Sequence, residues 1–199
     1  MITDAGLGRG AALVSMVSEA IDGGARLVQY RDKSRDAARR REEAAGLAAL
    51  CRLHGVPLIV NDDVELASEV GADGVHLGRD DPAVATARRR LGEAALIGVS
   101  CYDRFERAVA AAAAGADYVA FGRFFPSATK PDAVRAETGL LRRARRELGL
   151  PVVAIGGITP ENGGALIAAG ADMLAVVRAV FAAADVRAAA AALARLFQD

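Results

Sequence analysis

Residues 115–122 read "GADYVAFG", and the opening of that stretch recurs: "GARLV" starts at 24, "GADGV" at 71 and "GADML" at 170. In each case a glycine ends a helix-forming run, where a left-handed residue can close the last turn. In each case a short apolar run follows. The four starts are 47, 44 and 55 residues apart. Each interval has room for two strand–helix units.

Working outward from the repeat, short and nearly continuous apolar runs occupy 26–30, 58–61, 74–77, 96–100, 118–121, 152–155 and 173–177. Runs of this kind suit strands buried on both faces of a parallel sheet. Helical stretches separate them, from a first helix over about 10–23 to a last over about 185–197. A clipped opening strand fits residues 1–3. The pattern predicts eight βα units and a closed (β/α)₈ TIM barrel of the α/β class, as one domain spanning 1–199. The alternative is an open doubly wound sheet. Its first crossover would favour a G-x-G-x-x-G turn, which the first strand lacks.

Barrels of this kind place their sites at the C-terminal strand ends, so the polar residues there decide what the chain can do. Thr3 and Asp4 follow the first run, and Gln29, Arg31 and Lys33 follow the second in alternation, on one side of an extended segment. Asn61, Asp62 and Asp63 follow the third, Asp80 and Asp81 the fourth, and Ser100 ends the fifth. The sixth leads into "FFPSATKPD", the seventh into Gly156, Gly157 and Thr159, and the eighth into Val177 and Arg178. The strand beginnings read as glycine, proline and apolar residues. Ser127, Thr129 and Lys130 can grip an oxyanion or form an ordinary solvated turn. Asp62 and Asp81 can hold Mg²⁺ beside a phosphorylated substrate, and any of the four aspartates can instead cap the next helix. His76 reads as a packed, hydrogen-bonded side chain. Cys101 and Tyr102 have no base beside them in sequence.

Composition narrows the class. Of 199 residues, 53% are hydrophobic and 25% charged, with formal charge zero. Such a chain is globular, and its charge balance argues against nucleic acid or another polyanion as partner. Cys51 and Cys101 lack metal spacing and suit free thiols in a reducing compartment. There is no apolar stretch of about 18 residues to span a membrane. The opening "MITDAGLGRG" has no signal-peptide core. The expected location is the cytoplasm.

Five segments in order, "VQYRDK", "VNDDVELASEVGADGVHLGRDD", "IGVSCY", "GADYVAFGRFFPSATKPD" and "VVAIGGITPENGGALIAAGAD", resemble the thiamine phosphate synthase family over nearly the whole chain. The resemblance implies a transferase that condenses hydroxymethylpyrimidine diphosphate with hydroxyethylthiazole phosphate or its carboxylated form. The products are thiamine phosphate and pyrophosphate, and the implied mechanism is dissociative and assisted by Mg²⁺. It places Gln29, Arg31, Lys33, Asn61, Ser100 and Lys130 at the pyrimidine diphosphate. Arg31, Lys33, Ser100 and Lys130 form the catalytic set, and Asp62 and Asp81 hold the metal. Ser127, Thr129, Gly157, Val177 and Arg178 fall to the thiazole phosphate. The loop 122–138 is long enough to act as a lid. The partners implied are these small molecules, with a homodimer the one protein assembly left open.

The chain departs from the family in two places. Ser127 stands where the family often has threonine, and Arg178 where it often has serine. Two rivals are a thiazole tautomerase-like barrel, which needs a base and no metal, and a non-catalytic barrel that binds thiazole phosphate as a regulator. Retention of Arg31, Lys33, Asp62 and Asp81 favours the synthase over the tautomerase, and a regulator would have little reason to keep both carboxylates and Lys130.

Overall fold

A computed structural model describes residues 1–126 and 134–198. Ser127, Thr129 and Lys130 lie outside the described residues. Strands β1 (Val28–Tyr30), β2 (Leu58–Asn61), β3 (Gly74–Leu77), β4 (Leu96–Tyr102), β5 (Tyr118–Gly122), β6 (Val152–Ile155) and β7 (Met173–Ala175) form one seven-stranded sheet in sequence order. Every neighbouring pair is parallel, in registers such as Val28↔Leu58, Ile59↔Gly74 and Val119↔Val152. Helices alternate with the strands: α1 (Gly10–Asp22), α2 (Ala37–His54), α3 (Val64–Val70), α4 (Val84–Leu91), α5 (Phe105–Ala113), α6 (Thr138–Glu147), α7 (Pro160–Ala168), α8 (Arg178–Phe181) and α9 (Val186–Arg195). No helix among the described residues is long and apolar enough to cross a membrane.

The expected opening strand at 1–3 is too short to be a regular strand and forms a single parallel bridge, Ile2 to Gln29. It nevertheless closes the ring. The Ile2 N–H donates to the Val176 carbonyl at 2.8 Å and the Thr3 N–H to the Gln29 carbonyl at 2.9 Å. Residues 1–3 thus lie between β7 and β1, and the sheet has no free edge where they pair. The fold is a TIM-like α/β barrel, and the open-sheet alternative falls.

Alternation along each strand sorts residues onto two faces. Val28, Tyr30, Leu58, Val60, Val75, Ile97, Val119, Phe121 and Val152 belong to one apolar core with the surrounding helices. The intervening residues face the interior of the ring. There Tyr118, Ala120 and Val153 make a second, small cluster, and Gln29 and His76 are buried polar side chains. Gly98 makes this possible, because a Cβ at that position would collide with the Tyr118 ring.

The repeat is a structural device at the opposite, N-terminal rim. Gly24, Gly71, Gly115 and Gly170 all have positive φ, as expected of residues that end a helix. The aspartate two residues later does more than the sequence reading foresaw. Asp73 accepts from the Leu58 N–H at 2.8 Å, Asp117 from Ile97 at 2.7 Å and Asp172 from Val152 at 2.8 Å. Each carboxylate satisfies an N–H at the beginning of the preceding strand, the first in β2 and β6 and the second in β4. The strand beginnings are therefore not free of polar residues. At 24–26 the motif carries Arg26 instead, and the strand before it is the short segment 1–3.

Asp117 also meets the Arg88 guanidinium at 2.7 Å. Asp117→Ala should lower stability by about 1–3 kcal/mol, the cost of leaving a buried donor unmatched. Urea unfolding checks this: the midpoint should fall with an unchanged slope, and substrate KM values should not move, since this rim is far from the strand C-termini.

Candidate active site

The C-terminal rim is built from loops whose backbones are individually anchored. After β2 the chain carries two adjacent aspartates with different tasks. Asp63 caps α3, accepting from the Leu66 N–H at 2.9 Å, and pairs with Arg40 at 2.7 Å. Asp62 does not cap. Its φ is 66°, uncommon for a residue with a side chain, and its N–H is held by the His76 carbonyl at 2.9 Å. Its carboxylate is thereby free to meet Lys33 Nζ at 3.1 Å. Of the two capping alternatives open in the sequence, the structure assigns capping to Asp63 alone.

Asp81 does not cap either: the residue that starts α4 is Ala83. Its Oδ2 turns back to accept from the Gly78 N–H at 2.5 Å. Burial pushes the Asp81 carboxyl above its ordinary 3.8, and the neighbouring Asp62 pushes it further, against the Gly78 N–H and Lys33. Two neighbouring carboxylates thus stand at adjacent strand ends, with one ammonium paired to Asp62. Among the described residues no group of three or more His, Cys, Asp or Glu could hold a metal ion. The pair nevertheless fits a hard divalent cation that takes its other ligands from phosphate oxygens and water, because such a cation relieves the repulsion that burial and proximity create.

The floor of the mouth is a polar chain inside the barrel. Ser100 Oγ lies 2.8 Å from His76 Nε2, and His76 Nδ1 lies 3.0 Å from the Tyr118 hydroxyl. A hydrogen bond from Gln29 also reaches Tyr118, whose hydroxyl is driven above its ordinary value first by burial. Gln29 and Ser100 therefore belong to one network, with Asn61 paired in register with His76 on the adjacent strand. His76 is packed and hydrogen-bonded, as its sequence context suggested. Tyr118 was not singled out in the sequence, because inside "GADYVAFG" it reads as one more β-former.

On the far side, the loop after β5 docks on the glycines after β6. The Phe125 N–H donates to the Gly156 carbonyl at 3.0 Å. Gly157 has φ 64°, and a Cβ there would strike the Pro126 carbonyl. Val177 starts the short helix α8, accepting from Phe181 N–H at 3.0 Å, and Arg178 is exposed beside it. Arg31 has its N–H held by Thr3 Oγ1 at 2.8 Å. Among the described residues neither Arg31 nor Arg178 has an acidic partner in an ion pair. Tyr102, with φ 57°, ends β4 with the guanidiniums of Arg79 and Arg107 5.1 and 5.5 Å from its ring centre. The sequence gives no sign of that stack, which joins residues 79, 102 and 107 through space. A groove of about 430 Å³ meets the rim at Asp62 and Asp63 and runs outward past Arg40, Pro82, Thr86 and Arg90.

Neither cysteine is available as a nucleophile. Burial pushes Cys51 up to about 11 and Cys101 to about 12.

Comparison with known proteins finds one family by sequence and by fold. A family model described as thiamine monophosphate synthase matches residues 1–180. A thiamine-phosphate synthase of Thiobacillus denitrificans is 60% identical over 185 residues, covering 93% of this chain and 88% of that protein. One from Azoarcus sp. is 61% identical over 175 residues, covering 88% and 85%. The solved structure of a thiamine phosphate pyrophosphorylase from Pyrococcus furiosus is 35% identical and has a TM-score of 0.88, over 99% of this chain and 93% of that one.

The raised Asp81 carboxyl sets a pH dependence. A carboxyl whose folded pKa exceeds its unfolded value stabilises fully below the unfolded value, and that contribution is lost as pH rises through the folded value. Above that range the ionised group is a net cost to the unliganded protein. Asp81→Asn keeps an acceptor for Gly78 and removes the charge. Its melting temperature should match the parent near about pH 3 and exceed it by about pH 7. No gain at neutral pH would mean that Lys33 and Gly78 outweigh burial and Asp62.

Proposed function

Because the chain belongs to the thiamine monophosphate synthase family, we propose that its C-terminal rim carries out the family's condensation, making thiamine phosphate from a pyrimidine diphosphate and a thiazole phosphate. The observation that carries this reading is the Asp62–Asp81 pair, turned away from helix capping and facing Lys33. A transferase that expels pyrophosphate needs opposite charges arranged in this way. The cations take the substrate's phosphate oxygens and the carboxylates take its metal.

In this reading Gln29, Arg31, Lys33, Asn61 and Ser100 surround the pyrimidine diphosphate. Bound Mg²⁺, held by Asp62 and Asp81, would neutralise charge on the leaving diphosphate. Lys33 exchanges its contact with Asp62 for a phosphate oxygen, and Arg31 adds a forked donor. Tyr118, His76 and Ser100 stand in line below the diphosphate, and the His76 tautomer decides whether Ser100 offers its O–H or its lone pair to the mouth. No side chain acts as nucleophile. The pyrimidine–diphosphate bond breaks first, the electron pair leaves with pyrophosphate, and the thiazole nitrogen captures the pyrimidine cation. Preorganised charge around the departing group is the main contribution the protein makes.

The thiazole phosphate is assigned to the opposite arc, at Gly157, Val177 and Arg178. The sequence motif adds Ser127 and Thr129 there and Lys130 to the diphosphate. The substrates are small phosphorylated molecules, and the cytoplasm is the compartment that suits them.

The direct test supplies both substrates and Mg²⁺ and measures thiamine phosphate. The parent should form it, and Asp81→Ala should lose most of that activity while remaining folded. An Asp81→Ala protein with parental turnover at limiting Mg²⁺ would remove the metal assignment, and a parent that makes no product would remove the reading itself.

Arg178 can be tested separately. A charge-assisted contact contributes roughly 1.5–3 kcal/mol, so Arg178→Ala should raise KM for the thiazole phosphate about tenfold or more. KM for the pyrimidine diphosphate should stay close to the parental value. An unchanged thiazole KM would mean that only the backbone of residue 178 contributes.

A further inference from the structure

Two buried acidic side chains lie behind the rim and take no part in the chemistry described above: Asp32, 8% exposed, and Glu43, 3% exposed. Asp32 stands between Arg31 and Lys33 in the sequence and turns the other way, into the protein. Its Oδ1 accepts from the Ser34 N–H at 2.7 Å, and its Oδ2 meets the Arg39 guanidinium at 2.9 Å. Burial raises the Asp32 carboxyl, but Arg39 and Ser34 more than reverse this and hold it below its ordinary value.

Arg39 is the hub. The nitrogen that meets Asp32 also donates to Ser34 Oγ at 2.8 Å, a second nitrogen reaches Asp36 at 3.4 Å, and Nε faces Glu43 Oε1 at 3.8 Å. Glu43 in turn accepts from the Tyr30 hydroxyl and from the Gly10 N–H, both at 2.8 Å. One polar cluster thus ties the end of β1, the loop that follows it, the body of α2 and the start of α1. Apolar packing alone would hold α2 against β1. It would not set the direction of loop 31–36, because dispersion contacts have no preferred angle and hydrogen bonds do.

We propose that Asp32 and Arg39 are positioning residues for the anion grip, locking the loop after β1 onto α2 so that Arg31 and Lys33 are presented to the diphosphate before it binds. This rests on the reading that Arg31 and Lys33 hold that group. The outward residues meet substrate and the inward residue sets their geometry. A buried carboxylate paired with a guanidinium is stiff because breaking it strands a charge away from water. Preorganisation of this kind acts on the transition state, since nothing has to move as charge develops.

A double-mutant cycle tests it. Asp32→Asn should lower kcat/KM for the pyrimidine diphosphate roughly tenfold or more, with KM for the thiazole phosphate within about twofold of the parent. In an Arg31→Ala/Lys33→Ala background the same substitution should cost less than about twofold, because there is no longer a grip to position. If the background variant is as active as the parent, the anion-grip reading fails and the positioning proposal falls with it. If the background is impaired but Asp32→Asn multiplies in full on top of it, the reading of Arg31 and Lys33 stands and the positioning proposal is overturned. Arg39→Lys gives an independent arm should Asp32→Asn not fold. Lysine keeps the charge for Asp32 but cannot fork to Ser34. Its affinity for inorganic pyrophosphate, measured by titration, should fall several-fold at an unchanged urea midpoint, and parental affinity would overturn the proposal.

Discussion

The closure of a ring of parallel strands by residues 1–3 is the constraint on which the rest of this protein depends. Two hydrogen bonds, from Ile2 to Val176 and from Thr3 to Gln29, seat that segment between β7 and β1. Once the sheet is closed, every strand has an inside and an outside, and all strand C-termini meet at one rim. The loops that follow Tyr30, Asn61, Leu77, Tyr102, Gly122, Ile155 and Ala175 then converge although their residues are far apart in the chain. Thr3 takes part in both functions, because its hydroxyl also holds the backbone of Arg31.

Closure also divides the labour of the side chains. Outward residues such as Val28, Leu58, Ile97 and Val119 are fully buried under helices and supply apolar cohesion. Inward residues near the C-terminal rim are polar, and they are tolerable there only because they satisfy one another: Gln29, Tyr118, His76 and Ser100 form a connected chain. At the other rim, Asp73, Asp117 and Asp172 are used up on strand N–H groups. The two rims therefore carry acidic residues of opposite kinds. Those at the N-terminal rim are matched to donors, whereas Asp62 and Asp81 sit side by side with one lysine, paired to Asp62.

That imbalance is what makes the C-terminal rim chemically useful. Asp81 is destabilised as an anion by burial and by Asp62, while Arg31 and Arg178 stand without acidic partners among the described residues. A phosphorylated ligand with its metal would resolve both frustrations together. The supporting layer contrasts with this, since Asp32, Arg39, Glu43 and Tyr30 are joined to one another, with Arg39 Nε alone among their buried side-chain atoms left without a hydrogen bond. A surface with unmatched charges on a connected polar base is the arrangement expected of a binding site that must not rearrange when charge moves.

Much of this was legible in the chain itself. Continuous apolar runs separated by helix-length stretches specify a parallel sheet buried on both faces, and the glycine repeat specifies its spacing, because both signals are local. Several observed strands match the runs residue for residue, such as 58–61, 74–77 and 152–155. The rim residues were legible too, since a strand end followed by Asp, Arg or Lys can be read from order alone. What the order could not decide was direction. Whether Asp62 or Asp63 caps α3 depends on a single φ near 66°, and that angle is held by the hydrogen bond that the Asp62 N–H donates to the His76 carbonyl on the next strand. The Asp32–Arg39–Glu43 cluster, the Tyr102 stack and the Tyr118 network were invisible for the same reason. The sequence alone determined which residues stand at the rim, because periodicity is a property of neighbours along the chain. Only the closed ring decided which of them face each other, because opposite charges find their partners across strands and not along them.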